Sequence, residues 1–397
     1  MESFKKLGIT KPILKSIIEQ RFESPTEIQE KAIPLILAGN DVIAGSSTGS
    51  GKTLAFASGI LQNSIKGKGI QALILTPTRE LAEQVANSFR QFSKHRPLEV
   101  VAVYGGMGIN PQIKALKTAD VVVGTPGRML DHLARKTIKL GKVETLVLDE
   151  ADRMFDMGFK QDVEKIIKQC PPDRQTLLFS ATISRDIVKL SRNSMKKPLQ
   201  VSVDPYVDVG SLDQTYYQVQ DDMKLSLLVH LLKHEKSDLV MVFCNTKRNT
   251  DKVAKNLRVS NIDAQAIHGG LTQGKRTTVM KRFSTGKSCV LVCTDVAARG
   301  LDIEGISHVY NYDVPRESNQ YIHRIGRTAR AGAYGKAISI ISRSDQGNFS
   351  SILRENNVDI KKVKVPSFEK IVVRKPHRNM NNTISRKGQQ PNRHKNR

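Results

Sequence analysis

The chain has 397 residues, 39% of them hydrophobic and 25% charged, and a net charge of +25. At roughly 100–200 residues per domain, this length favours two globular domains with a short appendage over one core. No stretch approaches the ~20 apolar residues that cross a membrane, and no secretory signal is evident, so a cytoplasmic protein is expected. The charge favours nucleic acid or an anionic membrane as partner, although no basic amphipathic anchor is evident.

The four cysteines give no indication of a metal or redox site. They are Cys170, Cys244, Cys289 and Cys293, and none forms a CxxC pair. The last two lie in an apolar run, which favours a buried strand with free thiols.

Short apolar runs followed by small or acidic residues and a helix-like stretch recur along the chain, as in βα units around a parallel sheet. The runs are continuous rather than alternating, which is typical of strands covered on both faces. They form two sets and therefore predict two α/β domains. The predicted strands are residues 41–44, 72–75, 100–103, 121–123, 146–148 and 177–179, then 239–243, 290–292, 308–310 and 337–341.

Pro205 and Gly210 interrupt any regular element between the two sets. We therefore predict a first domain over residues 1–203, a linker over 204–213 and a second domain over 214–365. Residues 366–397 carry nine Lys and Arg against one acid and lack hydrophobic periodicity. Such a composition cannot offset its ordering entropy by burial, so a disordered basic tail is expected there.

The first predicted strand leads into Gly45-Ser-Ser-Thr-Gly-Ser-Gly-Lys-Thr53. Its glycines let backbone N–H groups turn toward phosphate oxygens at a helix N-terminus. Lys52 can reach the β- and γ-phosphates, and the Thr53 hydroxyl can bind Mg²⁺. The generic pattern GxxxxGK[ST] would have Gly at Ser46. The alternative, an ordinary strand-to-helix turn, is disfavoured by the Gly-Lys-Thr ending.

A second apolar strand ends in Asp149-Glu150-Ala151-Asp152, at the carboxyl edge where ligands of α/β sheets bind. Asp149 is expected to hold Mg²⁺, commonly through water, and Glu150 to polarise the attacking water. A capped strand end is the alternative. Together with the phosphate loop, however, these acids indicate an NTPase.

These four residues spell the box that names the DEAD-box helicases, and the family's other motifs follow in order between Phe4 and Ile341. The chain thus resembles that family, which implies two RecA-like domains, an RNA-stimulated ATPase that unwinds short duplexes, ATP and Mg²⁺ as cofactors, and RNA as partner. The family's loop, AxTGSGKT, differs here only by Ser46. The implied nucleotide contacts in the loop are Ser47, Thr48, Gly49, Ser50, Gly51, Lys52 and Thr53.

The segment from Phe22 to Gln29 resembles the family's adenine-reading segment. By that resemblance Gln29 hydrogen-bonds the adenine edge and Phe22 stacks on the ring. An amide matches adenine's neighbouring donor and acceptor, whereas guanine presents the opposite pattern. ATP is therefore expected in preference to GTP.

The resemblance also implies RNA contacts to sugar and phosphate rather than to bases, with the 2′-hydroxyl distinguishing RNA from DNA. Each segment alone is a common loop. The implied RNA contacts are Thr78, Arg79, Gly105, Gly106, Thr125 and Arg128, then Asn245, Arg276 and Thr294. Ser180 and Thr182 are expected to bond Asp152 and so couple hydrolysis to RNA separation.

The segment Tyr321-Ile-His-Arg-Ile-Gly-Arg-Thr-Ala-Arg330 resembles the family's arginine-finger motif. Arg327 and Arg330 are three apart on one helical face and are the implied fingers, while His323 would organise the water network. Simple surface charge is the alternative. The resemblance further implies a ribose contact for Asp302, with Gly300 opening space beside the nucleotide. The family usually has Gly at Ala329.

Two half-sites on separate domains predict that ATP and RNA together close the cleft. A DNA translocase of similar fold is one alternative. Another is a non-catalytic RNA clamp or annealing chaperone. Five intact residues argue against it: Lys52, Asp149, Glu150, Arg327 and Arg330. The basic tail is expected to be an auxiliary RNA-binding arm.

Overall fold

The computed structural model describes residues 2–45, 49–202, 212–298, 303, 305–329, 334–356, 358 and 360–371. They form two seven-stranded sheets, and every strand pairing is parallel. Helices lie on both faces of each sheet. The chain is thus built from two tandem RecA-like domains, as predicted.

The first sheet has the strand order β3-β4-β2-β5-β6-β1-β7. Its strands are β1 (Val42–Gly45), β2 (Ala72–Leu75), β3 (Val100–Val103), β4 (Val121–Gly124), β5 (Thr145–Asp149), β6 (Gln175–Ser180) and β7 (Leu199–Ser202). Its helices are α1 (Glu2–Lys6), α2 (Lys11–Glu19), α3 (Glu27–Leu37), α4 (Lys52–Asn63), α5 (Arg79–Phe92), α6 (Ile109–Leu116), α7 (Pro126–Ala134), α8 (Ala151–Asp156), α9 (Lys160–Ile167) and α10 (Arg185–Ser194).

The second sheet has the strand order β10-β11-β9-β12-β13-β8-β14. Its strands are β8 (Leu212–Gln218), β9 (Leu239–Phe243), β10 (Ala264–Ile267), β11 (Val290–Cys293), β12 (Ile306–Asn311), β13 (Gly335–Ile341) and β14 (Lys361–Lys362). Its α-helices are α11 (Lys224–His234), α12 (Lys247–Val259), α13 (Gln273–Ser284), α14 (Asp295–Ala298), α15 (Ser318–Ile325) and α16 (Gln346–Asn356). Two 3₁₀ turns cover Asp221–Met223 and Arg343–Asp345.

Continuous apolar strands bury both faces of the first sheet. Val42 and Ala44 of β1 belong to one hydrophobic cluster, whereas Ile43 between them belongs to the cluster on the opposite face. Successive strand residues point to opposite faces, so an unbroken apolar run fills two cores at once. Each of the ten predicted apolar runs forms a strand in the structure, so all ten strand predictions are confirmed.

Four strands were not predicted because their sequences lack such a run. Strand β8 reads Leu-Asp-Gln-Thr-Tyr-Tyr-Gln, and β7 and β10 each carry a glutamine. The two-residue β14 has only exposed lysines. Pairing with an apolar neighbour, such as β13 beside β8, supplies the hydrogen bonds that hold these polar segments in the sheet.

The described chain remains packed as far as Ile371. After β14, the Phe368 ring lies 5.7 Å from that of His230, and the Ile371 amide donates to Ser226 Oγ at 3.0 Å. Residues 366–371 of the expected tail therefore lie against α11, while residues 372–397 lie outside the described residues.

Of the predicted linker, residues 212–213 begin β8 and the rest lies outside the described residues. None of the described helices is both long and apolar enough to span a membrane.

Candidate functional site

The phosphate loop connects β1 to α4 at the carboxyl edge of the first sheet. Gly49 and Gly51 adopt left-handed backbone conformations, with φ of +85° and +87°. A Cβ atom at Gly51 would lie 2.4 Å from Gln29 Nε2 and would displace this amide, and the left-handed φ of Gly51 also favours glycine here. The loop then leads directly into the first helical residue, the buried Lys52. The predicted contacts Ser47 and Thr48 lie outside the described residues.

Lys52 faces the two acids that end β5. Its Nζ lies 2.9 Å from Asp149 Oδ1 and 3.8 Å from Glu150 Oε1. Burial alone would lower the pKa of Lys52, but the carboxylates of Asp149 and Glu150 outweigh it and raise that pKa above its usual value. The ammonium group therefore stays charged, which binding a phosphate would require.

Asp149 and Thr53 fit a divalent cation. Asp149 Oδ2 is buried and has no hydrogen-bond partner within the described ranges, so an acceptor oxygen is left beside the phosphate loop. Thr53 follows Lys52 in the first turn of α4 and is only partly buried. Mg²⁺ is commonly bound by one or two such protein oxygens together with substrate phosphates and waters.

Glu150 immediately precedes α8 and has an uncommon backbone conformation. Its φ is +53°, in the left-handed region that non-glycine residues seldom adopt, and its side chain is buried. Arg153 Nη1 lies 3.3 Å from Glu150 Oε2, so the carboxylate is held between this guanidinium and Lys52. Arg153 was not predicted. Its i,i+3 spacing from Glu150 was visible in the sequence, but its burial was not.

Gln29 supports the phosphate loop from α3. Its Nε2 donates to the Gly51 carbonyl at 2.9 Å, and its Oε1 accepts from the Thr26 amide at 3.0 Å. An amide carries two donor hydrogens and two acceptor lone pairs, so these two bonds leave one donor and one acceptor of Gln29 unassigned. Phe22 is partly buried, with its ring 6.2 Å from that of Phe92.

The final Asp of the acidic box contacts the Ser-Ala-Thr segment as expected. Asp152 Oδ2 accepts from both the amide and the hydroxyl of Thr182, each at 3.0 Å. Ser180 bonds the Asp152 backbone instead, because its Oγ accepts from the amide at 3.3 Å and donates to the Thr182 carbonyl at 2.8 Å. Three hydrogen bonds therefore join the two segments, and the fourth lies within the Ser-Ala-Thr segment.

The first-domain residues predicted to contact RNA surround one turn. The guanidinium of Arg79 lies across Gly105 and Gly106, where a Cβ atom on Gly106 would come within 2.0 Å of Arg79 Nη1. Gly106 also has a φ of +85°. Thr78 and Thr125 precede α5 and α7, and the Thr78 hydroxyl accepts from the Leu81 amide at 3.2 Å.

A cavity of about 450 Å³ brings most of these residues together with the second domain. Arg276 Nε lies 2.7 Å from Glu80 Oε1, and Arg79 Nη1 donates to Gln273 Oε1 at 3.3 Å, so the domains touch here. The predicted RNA contacts that line the cavity are Thr78, Arg79, Gly105, Thr125, Arg128 and Arg276. Gly106 lines an adjoining cavity of about 760 Å³.

Asn245 and Thr294 follow β9 and β11 at the carboxyl edge of the second sheet. The amide of Asn245 is engaged by the protein, since its Nδ2 donates to the Val314 carbonyl at 2.8 Å and its Oδ1 accepts from Arg324 Nη2 at 2.8 Å. Thr294 is buried and bonded to β10 through its backbone, with its amide 3.4 Å from the Ile267 carbonyl. Neither is among the described residues lining the 450 Å³ cavity.

Residues 321–325 of the arginine-finger segment end α15 and residues 326–329 form the turn after it, so Arg327 lies past the helix and not on its face as predicted. Arg327 is buried, and its Nε donates to the carbonyl of His323 at 3.3 Å. Arg324, which was not predicted, is also buried and donates to the Asp295 carboxylate at 2.6 and 2.7 Å. This ion pair fixes α15 against the residues that follow β11. The predicted contacts Gly300, Asp302 and Arg330 lie outside the described residues.

Ala329 has a φ of +53°. The left-handed region costs an L-residue with a side chain roughly 1–2 kcal/mol, which accounts for the family's usual glycine at this position. The alanine keeps the turn but carries this strain.

Comparisons with known proteins agree with these features. The DEAD/DEAH box helicase model matches residues 26–190, and the helicase conserved C-terminal domain model matches residues 223–332. The ATP-dependent RNA helicase CshA of Listeria monocytogenes is 43% identical over 372 residues, covering 93% of this chain and 72% of the relative. CshA of Geobacillus kaustophilus is 42% identical over 372 residues, covering 93% and 80%.

A solved structure extends the agreement to both domains. Dbp5 of S. cerevisiae bound to RNA and ADP BeF3 superposes with a TM-score of 0.84 at 31% identity, covering 91% of this chain and 96% of that one. The family models, the identity across almost the whole chain and the phosphate-loop geometry lead to one conclusion. The chain belongs to the DEAD-box family of ATP-dependent RNA helicases.

Proposed function

We propose that this helicase binds single-stranded RNA by its sugar–phosphate backbone in the cleft between the domains and couples that binding to ATP hydrolysis at Lys52, Asp149 and Glu150. The observation that carries the proposal is the cleft itself. Six predicted RNA contacts from two domains line one cavity, and three of them are arginines. Guanidinium groups bind phosphate through paired hydrogen bonds, which favours a polyanionic strand.

The buried ion cluster is the nucleotide half of this proposal. Lys52 binds the β- and γ-phosphates, and the glycine turns expose backbone amides to them. Thr53 and Asp149 hold Mg²⁺, which neutralises phosphate charge when bound. Glu150, held by Arg153, orients the attacking water and accepts its proton.

Closure brings the second-domain groups to the same phosphates. Arg327 and Arg330 stabilise the negative charge that develops on the transferred phosphoryl group, and His323 orders water beside them. Asp302 binds the ribose, and Gly300 leaves room for it. Arg324 anchors the helix that carries His323, which supports a fixed placement of these groups.

The bonded Asp152 and Thr182 are the proposed coupling between the two sites. Asp152 is three residues from Asp149, and Thr182 follows β6, which pairs directly with β5. A shift of the acidic box on phosphate release is therefore transmitted to the Ser180–Thr182 segment without an intervening element. Movement of the Ser180–Thr182 segment then changes the shape of the cleft and releases RNA. Because the RNA is held by its backbone, this release requires no contact to a base.

The basic tail is proposed as an auxiliary RNA arm. Strand β14 is parallel to β8, and residues after it reach Lys370, which pairs with Asp222 just past the carboxyl end of β8. The 26 residues after Ile371 therefore begin at the edge that also carries Asn245. Strands β9 and β14 are four strand spacings apart, which is about 19 Å. A segment of 26 residues can span up to ~90 Å, so the tail is long enough to reach RNA bound beside Asn245.

The cytoplasmic location stays a prediction.

Paired RNA and DNA duplexes of the same sequence test the proposal. We expect ATP-dependent separation of a short RNA duplex with a single-stranded extension, and RNA-stimulated ATPase. An all-DNA duplex should give neither, because the 2′-hydroxyls are missing. Equal activity on both duplexes would indicate a DNA-capable translocase, and strand binding without hydrolysis would indicate a clamp.

A further inference from the structure

The glycine turn beside Arg79 is held at both ends by one hydrogen-bonded network. Gln112 of α6 donates from Nε2 to the Tyr104 carbonyl, immediately before Gly105, at 3.0 Å. Arg128 donates from Nη2 to the Met107 carbonyl, immediately after Gly106, at 3.1 Å. Arg128 Nη1 also donates to Gln112 Oε1 at 3.1 Å, so the two side chains close a ring around the turn.

The chemistry of its partners fixes the orientation of the Gln112 amide. A guanidinium can only donate, so the atom facing Arg128 must be the amide oxygen. A backbone carbonyl can only accept, so the atom facing Tyr104 must be the amide nitrogen. Neither partner tolerates the flipped amide, and no other uncharged side chain of this length offers one donor and one acceptor at these two points.

A buried histidine completes the network. His132 Nε2 lies 3.2 Å from Gln112 Oε1, and its Nδ1 lies 2.8 Å from Thr137 Oγ1. Burial, reinforced by the positive charge of Arg128, lowers the pKa of His132 below its usual value. Because Gln112 Oε1 can only accept, the neutral ring donates from Nε2, and this oxygen then accepts two hydrogen bonds.

We propose that Gln112 is a positioning residue for RNA binding, which fixes the Gly105–Gly106 turn and the Arg128 guanidinium in the geometry that a sugar–phosphate backbone requires. This inference rests on the proposed RNA cleft. Gln112 is itself 7% exposed and does not line the 450 Å³ cavity, so it acts through its partners and not by touching RNA. Without it, Tyr104 and Arg128 lose their shared tether, so binding must order the turn and the Arg128 guanidinium no longer meets phosphate.

Gln112→Leu tests this inference, with Gln71→Leu as a matched control. Gln71 lies in the same domain, is 3% exposed, and makes three backbone hydrogen bonds, to the Ile65 amide, the Ile65 carbonyl and the Gly69 carbonyl. It precedes β2, at the opposite edge of the sheet from the RNA cleft. Both substitutions remove a buried amide of equal size, so their general effects on stability should be similar.

The measurements use the full chain and a labelled 20-nucleotide oligo(U). RNA affinity is titrated with a non-hydrolysable ATP analogue across a salt series, and ATPase gives the KM for ATP and the basal rate without RNA. We expect Gln112→Leu to weaken RNA affinity about tenfold and to flatten the slope of log affinity against log salt by about 0.7, the value for one lost phosphate contact. Its KM for ATP and basal rate should stay within twofold, as should all values for Gln71→Leu.

Arg128→Ala supplies a second readout that a merely structural residue would not move. If Gln112 acts through Arg128, then Gln112→Leu should cost less than threefold in RNA affinity when Arg128 is already alanine. Gln112→Glu keeps the acceptor toward Arg128 but loses the donor to Tyr104, so we expect an intermediate loss of at least threefold. If Gln112→Leu does not fold, the RNA affinity of Gln112→Glu tests the positioning role of Gln112 in its place.

Equal RNA affinities for the Gln112 and Gln71 variants, or independent effects of Gln112→Leu and Arg128→Ala, would overturn the inference. Wild-type protein that binds no oligo(U) would instead contradict the proposed function. The two failures are therefore distinguishable in one titration.

Discussion

Arg276 and Glu80 form an ion pair across the domain cleft, with Nε 2.7 Å from Oε1 and both side chains largely buried. Arg276 is a proposed phosphate contact, so the Glu80 carboxylate occupies a donor that RNA would use. The pair joins the two domains, and if Arg276 contacts phosphate as proposed, Glu80 competes with RNA for it. Removing the charge of Glu80 shows which of these two effects dominates RNA binding.

Glu80→Gln should therefore strengthen RNA binding about two- to fivefold, because phosphate no longer competes with a carboxylate for Arg276. Fluorescence anisotropy with oligo(U) measures the change. Glu83→Gln is the control, since Glu83 lies one turn further along α5 and accepts from the Tyr104 hydroxyl at 3.0 Å. Weaker binding by Glu80→Gln would show that the carboxylate positions Arg276 for RNA.

Arg327→Ala should reduce turnover sharply and change ATP affinity little, since a finger acts on transition-state charge. The effect in comparable phosphoryl-transfer enzymes is about 10³–10⁵, and sharing with Arg330 places the expected loss toward the lower end. Steady-state ATPase at saturating RNA gives the number. An intact rate combined with lost RNA affinity would make Arg327 an RNA contact instead.

Gln29→Ala should weaken ATP binding more than GTP binding. The substitution also removes the bonds to Thr26 and Gly51, so both nucleotides should lose some affinity through the loop. Only ATP loses the additional adenine contact. Titrations with both nucleotides give the ratio, and an unchanged ratio would restrict Gln29 to supporting the loop.

A chain ending at Ile371 should keep RNA-stimulated ATPase at saturating RNA but need more RNA to reach it. This end point keeps the packed Phe368 and removes eight Lys and Arg and no acid. If about five of these charges meet phosphates, the log affinity against log salt slope should flatten by roughly 3–4. Coincident salt curves for the full and shortened chains would remove the tail as an RNA arm.

The sequence predicted the parts of this molecule that local pattern determines. Continuous apolar runs located ten strands, and the phosphate loop and acidic box located the lysine–carboxylate cluster, because strand ends at one sheet edge meet in space. Strand β8 was missed because its polar residues are held by the neighbouring β13 rather than by their own burial.

The residues that support the site could not be predicted in the same way. Arg153 directly follows the acidic box and Arg324 lies inside the arginine-finger segment, but their burial beside partners, like that of Gln112, is set by packing. Arg324 pairs with Asp295, 29 positions away, and Gln112 with Arg128, 16 positions away. Such pairings depend on the packing of several elements, for which one sequence without its fold gives no signal.

Glu150→Gln tests the central claim, that RNA bound in the cleft drives hydrolysis at the buried carboxylate cluster, most directly. The amide keeps the shape of the side chain but cannot accept the proton of the attacking water. The measurement is single-turnover ATP hydrolysis at saturating oligo(U), with ATP and RNA affinities determined in parallel. We predict wild-type affinities and a rate reduced about 10²–10⁴-fold; a wild-type rate in the purified variant would contradict the assignment of hydrolysis to this centre.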